Sequence, residues 1–253
     1  MSVFQNPIQI DGCVYVASDF HLGSPNKEQS DAREKRIVDW LDSIKNDANY
    51  LFLLGDIFDF WFEYRDVVPR GYFCLLAKLA ELHNQGIQIY YFTGNHDMWV
   101  NDYFVKEIGV QLFRQQQAFI INEKRFLIGH GDGLGPADNG YKFIKWVFAQ
   151  RFNQILYASL PPRWAFALAR FCSRKSRAMT SAAEQQFMGN GNEMLVQYIQ
   201  EIIKTEKIDY FIYGHRHLPI DMKLGQSQYL NSGDWIMHDS YIKITSETVQ
   251  LFK

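Results

Sequence analysis

The sequence predicts an α/β fold with a helical insert, and three observations predict it. Short apolar runs alternate with helix-period patterns over the first 130 residues. Five apolar runs end in a polar cluster rich in Asp, Asn and His. Between the fourth and fifth lies a 45-residue stretch, 139–183, without one acidic side chain.

The elements follow in order. Cys13–Ser18, Tyr50–Leu54 and Ile87–Thr93 read as buried strands, being short, apolar and rich in β-branched or aromatic residues. Between them, Ser30–Lys45 places Ile37, Trp40, Leu41 and Ile44 at helical spacing, and Tyr72–Asn84 does the same with Leu75, Leu76, Leu79 and Leu82. Asn84-Gln85-Gly86 stops the second helix. Ala118–Ile121 and Phe126–Ile128 flank Asn122-Glu123-Lys124, a hairpin turn. After the insert, Asn192–Lys204 reads as a helix and Tyr210–Tyr213 as a strand, with strand-like runs at Gln228–Leu230, Tyr241–Thr245 and Thr248–Phe252. Strand–helix–strand alternation argues for one α/β domain over 1–253, the helical insert occupying 139–189. No internal repeat or low-complexity segment interrupts it.

Composition narrows the class. A chain of 253 residues with 47% hydrophobic and 21% charged content is an ordinary globular protein. The net charge of −2 gives no global reason to expect nucleic acid. The acid-free stretch alone carries eight basic residues and nine aromatics, leaving −10 for the remainder. Pro161-Pro162 divides it into at least two helical segments. Cys13, Cys74 and Cys172 fit neither a disulfide framework nor a zinc knuckle, so reduced thiols in the cytoplasm are expected. Met1–Gly12 lacks a signal-peptide pattern, and no run approaches the roughly 18 apolar residues of a membrane span.

The chemistry resides in the five clusters: Asp19-Phe20-His21, Gly55-Asp56-Ile57-Phe58-Asp59, Gly94-Asn95-His96-Asp97, Gly129-His130-Gly131-Asp132 and Gly214-His215-Arg216-His217. In open α/β sheets, sites form outside the carboxyl ends of strands, so five such loops can face one cleft. Carboxylate, amide oxygen and imidazole suit Mn²⁺, Fe²⁺ or Zn²⁺, and no thiolate is offered. Singly, each cluster is an ordinary turn or cap; five in order at strand ends make a site.

This ordered set resembles the calcineurin-like metallophosphoesterases from Asp19 to His217. The resemblance implies a four-layer α/β-sandwich with two mixed sheets. It implies one divalent ion on Asp19, His21, Asp56 and His217, and a second on Asp56, Asn95, His130 and His215, with Asp56 bridging. Two such ions bind phosphoryl oxygens and lower the pKa of a water. His96 is expected to contact phosphate or act as general acid, with Asp97 orienting it; Asp59 and Asp132 are expected to support the ligands.

Within that superfamily the chain resembles UDP-2,3-diacylglucosamine pyrophosphatases of lipid A biosynthesis. The resemblance rests on Gly55-Asp56-Ile57-Phe58-Asp59-Phe60-Trp61, His130-Gly131-Asp132-Gly133-Leu134, Asp138-Asn139-Gly140-Tyr141, the Pro-containing insert and Gly214-His215-Arg216-His217-Leu218-Pro219. It implies cleavage of the lipid nucleotide to UMP and 2,3-diacylglucosamine 1-phosphate, generally with Mn²⁺. Asn95, His96, Asp138, Arg174, Lys175, Arg177 and His215 are the expected substrate contacts. Peripheral contact with an anionic inner-membrane surface is expected of the basic, aromatic insert. The chain departs from that family at His96, where the family usually carries Arg; imidazole lacks the guanidinium fork. Another lipid-linked or nucleotide substrate, or a nuclease activity, is the alternative.

Overall fold

Every residue of strand β2 (Val14–Ala17) is buried, and its period-2 alternation divides it between two cores. Val14 and Val16 face one core, Tyr15 and Ala17 the other. Strands β3 (Tyr50–Leu53) and β4 (Gln88–Phe92) repeat the division: Phe52, Tyr90 and Phe92 join Val16, whereas Leu51, Leu53, Ile89 and Tyr91 join Tyr15. Strands apolar on both faces must be covered on both. The computed structural model, which describes residues 2–135, 139–184, 189 and 193–253 (of 139–141, 144 and 174–184 the backbone), shows how this happens.

The parallel trio β2, β3 and β4 joins β5 (Gln111–Phe113), β11 (Tyr241–Ile244) and β12 (Val249–Phe252) in a six-stranded mixed sheet of order β12-β11-β2-β3-β4-β5. A second six-stranded sheet combines β1 (Ile8–Ile10), β6 (Gln117–Ile121), β7 (Lys124–Ile128), β8 (Tyr210–Tyr213), β9 (Pro219–Leu224) and β10 (Ser227–Ser232). Its order is β1-β6-β7-β8-β10-β9. The sheets pack face to face through Val16, Phe52 and Phe92 on one side and Phe119, Phe126 and Ile212 on the other. Helices α1 (Lys27–Ile44) and α2 (Phe73–Asn84) cover the outer face of the first sheet, and α6 (Met194–Ile203) that of the second. Four layers result, as the resemblance implied.

The differences from expectation are local. Helix α1 starts at Lys27, before the expected Ser30, because the Asn26 side chain accepts a 3.0 Å hydrogen bond from the Gln29 amide. The hairpin turns on Asn122 and Glu123 alone, both at positive φ (47° and 68°), and Lys124 already belongs to β7. Strands β1, β5 and β9 and a π-helical turn at Phe104–Ile108 were not expected. All three strands lie at or next to solvent on sheet edges, where alternation is faint.

The insert forms three helices, α3 (Asn139–Ala149), α4 (Arg151–Ala158) and α5 (Pro162–Glu184). Pro162 occupies the first turn of α5, where its missing N–H costs nothing. The inner side docks on the body. Tyr157 lies 4.8 Å from both Phe62 and Trp99, and the Trp99 indole N–H donates to the Phe148 carbonyl at 2.9 Å. The outer side does not: Phe143, Phe152, Trp164 and Phe171 are 63–74% exposed. Among the described residues, no helix is long and apolar enough to cross a membrane.

Candidate metal centre

Five loops leave the carboxyl ends of β2, β3, β4, β7 and β8 and bring the clusters together at the ends of the two sheets. The approach is close. Gly55 sits at φ 83°, and a Cβ there would lie 2.5 Å from the Gly94 amide nitrogen. A Cβ on Gly94 would in turn collide with the Asp56 carboxylate. Asp19, His21, Asp56, His215 and His217 all adopt positive φ, between 44° and 67°. Left-handed backbone costs a non-glycine residue on the order of 1 kcal/mol, so the fold holds these side chains against a local preference.

Donor atoms of Asp19, His21 and His217 lie within 4.8 Å of one another, as do those of Asp56, His130 and His215. Asp56 connects the two groups: its Oδ2 is 3.7 Å from His21 Nε2 and 3.5 Å from His130 Nε2. In the first group, His217 Nε2 lies 3.2 Å from His21 Nε2 and 3.4 Å from Asp19 Oδ1. In the second, Asn95 Oδ1 lies 3.2 Å from His130 Nε2. A third group, His21, Asp59 and His96, shares His21 with the first.

Electrostatics favour cations here. Asp19 Oδ1 is buried and accepts no hydrogen bond from the described residues. Burial opposes ionisation of Asp56, but the imidazoles of His130 and His96 outweigh it and hold the carboxyl well below its usual range. Burial opposes charge on His130 too, yet Asp56 reverses the balance and pushes it up to about 10. His215 is pushed down to about 3 by its burial and by the charge on His130. The donors are oxygen and imidazole nitrogen, as borderline divalent ions require.

The sequence matches the calcineurin-like phosphoesterase family over residues 14–219. This chain belongs to the calcineurin-like phosphoesterase family. Among curated relatives, a UDP-2,3-diacylglucosamine hydrolase of Porphyromonas gingivalis is 36% identical, the alignment covering 90% of this chain and 92% of that one. One of the same name from Proteus mirabilis is 28% identical over 95% and 98% of the two chains. Among solved structures, a phosphoesterase from E. coli matches with a TM-score of 0.45 at 16% identity, covering 94% and 90%.

As a calcineurin-like phosphoesterase the protein is a metal-dependent hydrolase using divalent ions. The remaining site residues fall into place around the two groups. The His96 amide donates to Asp56 Oδ1 at 2.8 Å, and its ring Nδ1 lies 3.0 Å from the Asp59 carbonyl. Asp97 does not orient that ring. Its carboxylate accepts from the amides of Gly94 and Ile57, at 2.7 and 2.9 Å, and from the Tyr91 hydroxyl at 2.6 Å. It holds the loop backbones, and its burial together with Asp56 pushes its pKa up to about 6. Asp132 pairs with Lys145 on α3 at 2.6 Å, and Asp59 Oδ1 lies 3.8 Å from His21 Nδ1. Asp138 lies outside the described residues, as do the side chains of Arg174, Lys175 and Arg177.

Two residues escaped the sequence reading. Arg33, buried on α1, donates to the carbonyls of Phe20 and His21 at 2.9 Å and of Ser24 at 3.2 Å, bracing the loop after β2. A helical Arg carries no motif. Asp234 follows β10 and places Oδ2 3.4 Å from His217 Nδ1. Its signal was present, since Gly233-Asp234 after a strand repeats the pattern of Gly55-Asp56.

Proposed function

We propose that this phosphoesterase hydrolyses the pyrophosphate of UDP-2,3-diacylglucosamine, giving UMP and 2,3-diacylglucosamine 1-phosphate in lipid A biosynthesis. The observation that carries this reading is the exposed aromatic face of α3–α5 beside a pocket of carboxylates and imidazoles. A lipid nucleotide needs both, a charged centre for its phosphates and apolar surface for its acyl chains. Each CH₂ buried there contributes about 0.8 kcal/mol. The insert is tied to the pocket by Lys145–Asp132 at 2.6 Å and Ser173–Asp59 at 2.8 Å, so acyl chains held on the insert would lie beside phosphates held in the pocket. The similarity to hydrolases of that name supports the same substrate.

In this reading Asp19, His21, Asp56 and His217 hold one divalent ion and Asp56, Asn95, His130 and His215 the other, Mn²⁺ being the expected metal. The ions, when bound, supply Lewis acidity toward phosphoryl oxygen and acidify a water. His96, as the imidazolium, binds phosphate or donates a proton to the leaving oxygen through Nε2, because Nδ1–H is turned to the Asp59 carbonyl. Asn95 and His215 face the phosphates, and Asp138, Arg174, Lys175 and Arg177 contact the sugar, phosphates or an anionic membrane surface. Residues 139–189 act as a lid over the acyl chains. The protein works in the cytoplasm, peripherally on the inner membrane.

The test is incubation with Mn²⁺ and UDP-2,3-diacylglucosamine, with UMP as the readout, beside a generic phosphodiester. Cleavage of the generic ester without UMP would remove the lipid substrate and leave the family standing. Salt-sensitive binding and cleavage of oligonucleotides, without vesicle binding, would turn the basic insert into a nuclease surface.

A further inference from the structure

The turn after β10 is built against the first ligand loop. Gly233 leaves the strand at φ 71°, and a Cβ there would collide with the Ser240 hydroxyl, so the chain reverses sharply. The Trp235 amide then donates to the Asp19 carbonyl at 3.3 Å, and its indole packs edge-on against Phe20 at 5.6 Å. Asp234, only 3% exposed, sits between them.

The two oxygens of Asp234 have separate tasks. Oδ1 accepts from the amides of Met237 and His238 at 3.0 and 3.2 Å and meets His238 Nδ1 at 2.9 Å, which caps the turn. Oδ2 meets His217 Nδ1 at 3.4 Å. An imidazole that donates from Nδ1 keeps its Nε2 lone pair free to ligate. His217 Nε2 is the atom that lies against Asp19 and His21.

We propose that Asp234 is a positioning residue for His217: its Oδ2 selects the Nδ1–H tautomer and so presents Nε2 to a divalent ion. The proposal rests on the reading that His217 is a metal ligand. A carboxylate behind a ligating imidazole fixes both its ring orientation and its basicity. The same carboxylate links the last ligand of the β8 loop to the Asp19 loop through Trp235, so one turn sets the spacing of both.

Asp234→Asn separates the two tasks. The two turn amides are donors, so they hold the Asn carbonyl toward themselves and turn its NH₂ toward His217. That NH₂ demands a lone pair on Nδ1, which forces the Nε2–H tautomer and removes the ligand. The metal-stripped full-length protein is titrated with Mn²⁺ by calorimetry. Wild type is expected to take two ions; D234N is expected to bind one as before and the other roughly 10–100-fold more weakly. His238→Ala, which touches only Oδ1, is expected to keep both affinities. Two wild-type affinities in D234N would overturn the proposal and leave Asp234 a turn cap, whereas fewer than two ions on wild type would overturn the ligand reading itself. If D234N does not fold, the Zn²⁺-loaded wild type decides by NMR. A His217 Nδ1 proton protected from water exchange supports the proposal, and one that exchanges freely overturns it.

Discussion

The hydroxyl of Ser173 on α5 donates a 2.8 Å hydrogen bond to Oδ2 of Asp59, joining the insert to the loop after β3 across 114 positions of sequence. Both residues are buried, so water does not compete with the bond. Ser173→Ala should lower unfolding stability by about 1–2 kcal/mol. It should also speed amide hydrogen exchange along α5 while leaving Mn²⁺ stoichiometry unchanged. Exchange equal to wild type would show that the bond does not hold the insert down.

Asp56 is the carboxylate within reach of both donor groups, at 3.7 Å from His21 Nε2 and 3.5 Å from His130 Nε2. Asp56→Ala should therefore empty both positions and abolish phosphoester hydrolysis, with metal content and turnover as the measurements. Near-normal turnover of a folded variant would contradict the arrangement.

His96 is half-buried at the pocket, its Nδ1 directed to the Asp59 carbonyl. His96→Ala should retain metal and lose roughly 10²–10⁴-fold in kcat. Loss of metal instead would move His96 into the ligand set with His21 and Asp59.

Trp164 and Phe171 are 70% and 66% exposed on the outer side of α5, so charge there should be tolerated by the fold. A Trp164→Glu, Phe171→Glu double variant should stay within about 0.5 kcal/mol per site of wild-type stability. Vesicle co-sedimentation and turnover of the diacylated substrate should fall, while cleavage of a water-soluble phosphodiester persists. Undiminished vesicle binding would count against this face as the proposed membrane contact.

Glu206 ties down the N-terminus, accepting from the Val3 and Phe4 amides at 2.6 and 2.9 Å and from the Ser2 hydroxyl at 3.0 Å. Burial works against its charge, but those donors prevail and hold the carboxyl below its usual range. The contribution is thus complete above the unfolded-state value, about 4.3, and is lost as pH falls through the lower folded one. Hydrogen exchange at Val3 and Phe4, corrected for its intrinsic pH dependence, should rise on acidification. Glu206→Gln should show that exchange at neutral pH; if it stays protected, the anchoring is not electrostatic.

The polar loops at the strand ends were legible because their signals are local. Gly before Asp56 or His130 marks a chain leaving a strand, and Asp-x-His or His-x-His sets two donors on one side. Buried strands and amphipathic helices were legible by their periods, and the edge strands β1, β5 and β9 were not, because a strand with one neighbour needs little pattern. Asp97 was misread for a related reason. Adjacency to His96 in sequence suggested contact, but the loop turns its carboxylate onto Gly94, Ile57 and Tyr91.

By itself the sequence determined which donor chemistry exists, in what order, and that it stands at strand ends. These are properties of a few neighbouring residues, set by backbone geometry and side-chain type. Only the tertiary structure decided which ends meet. Stacking the two sheets brings the β2–β4 loops against those of β7 and β8, and pairing β10 beside β8 carries Asp234 to His217. Contacts between distant strands depend on how whole faces bury their apolar side chains, and no local pattern records that choice.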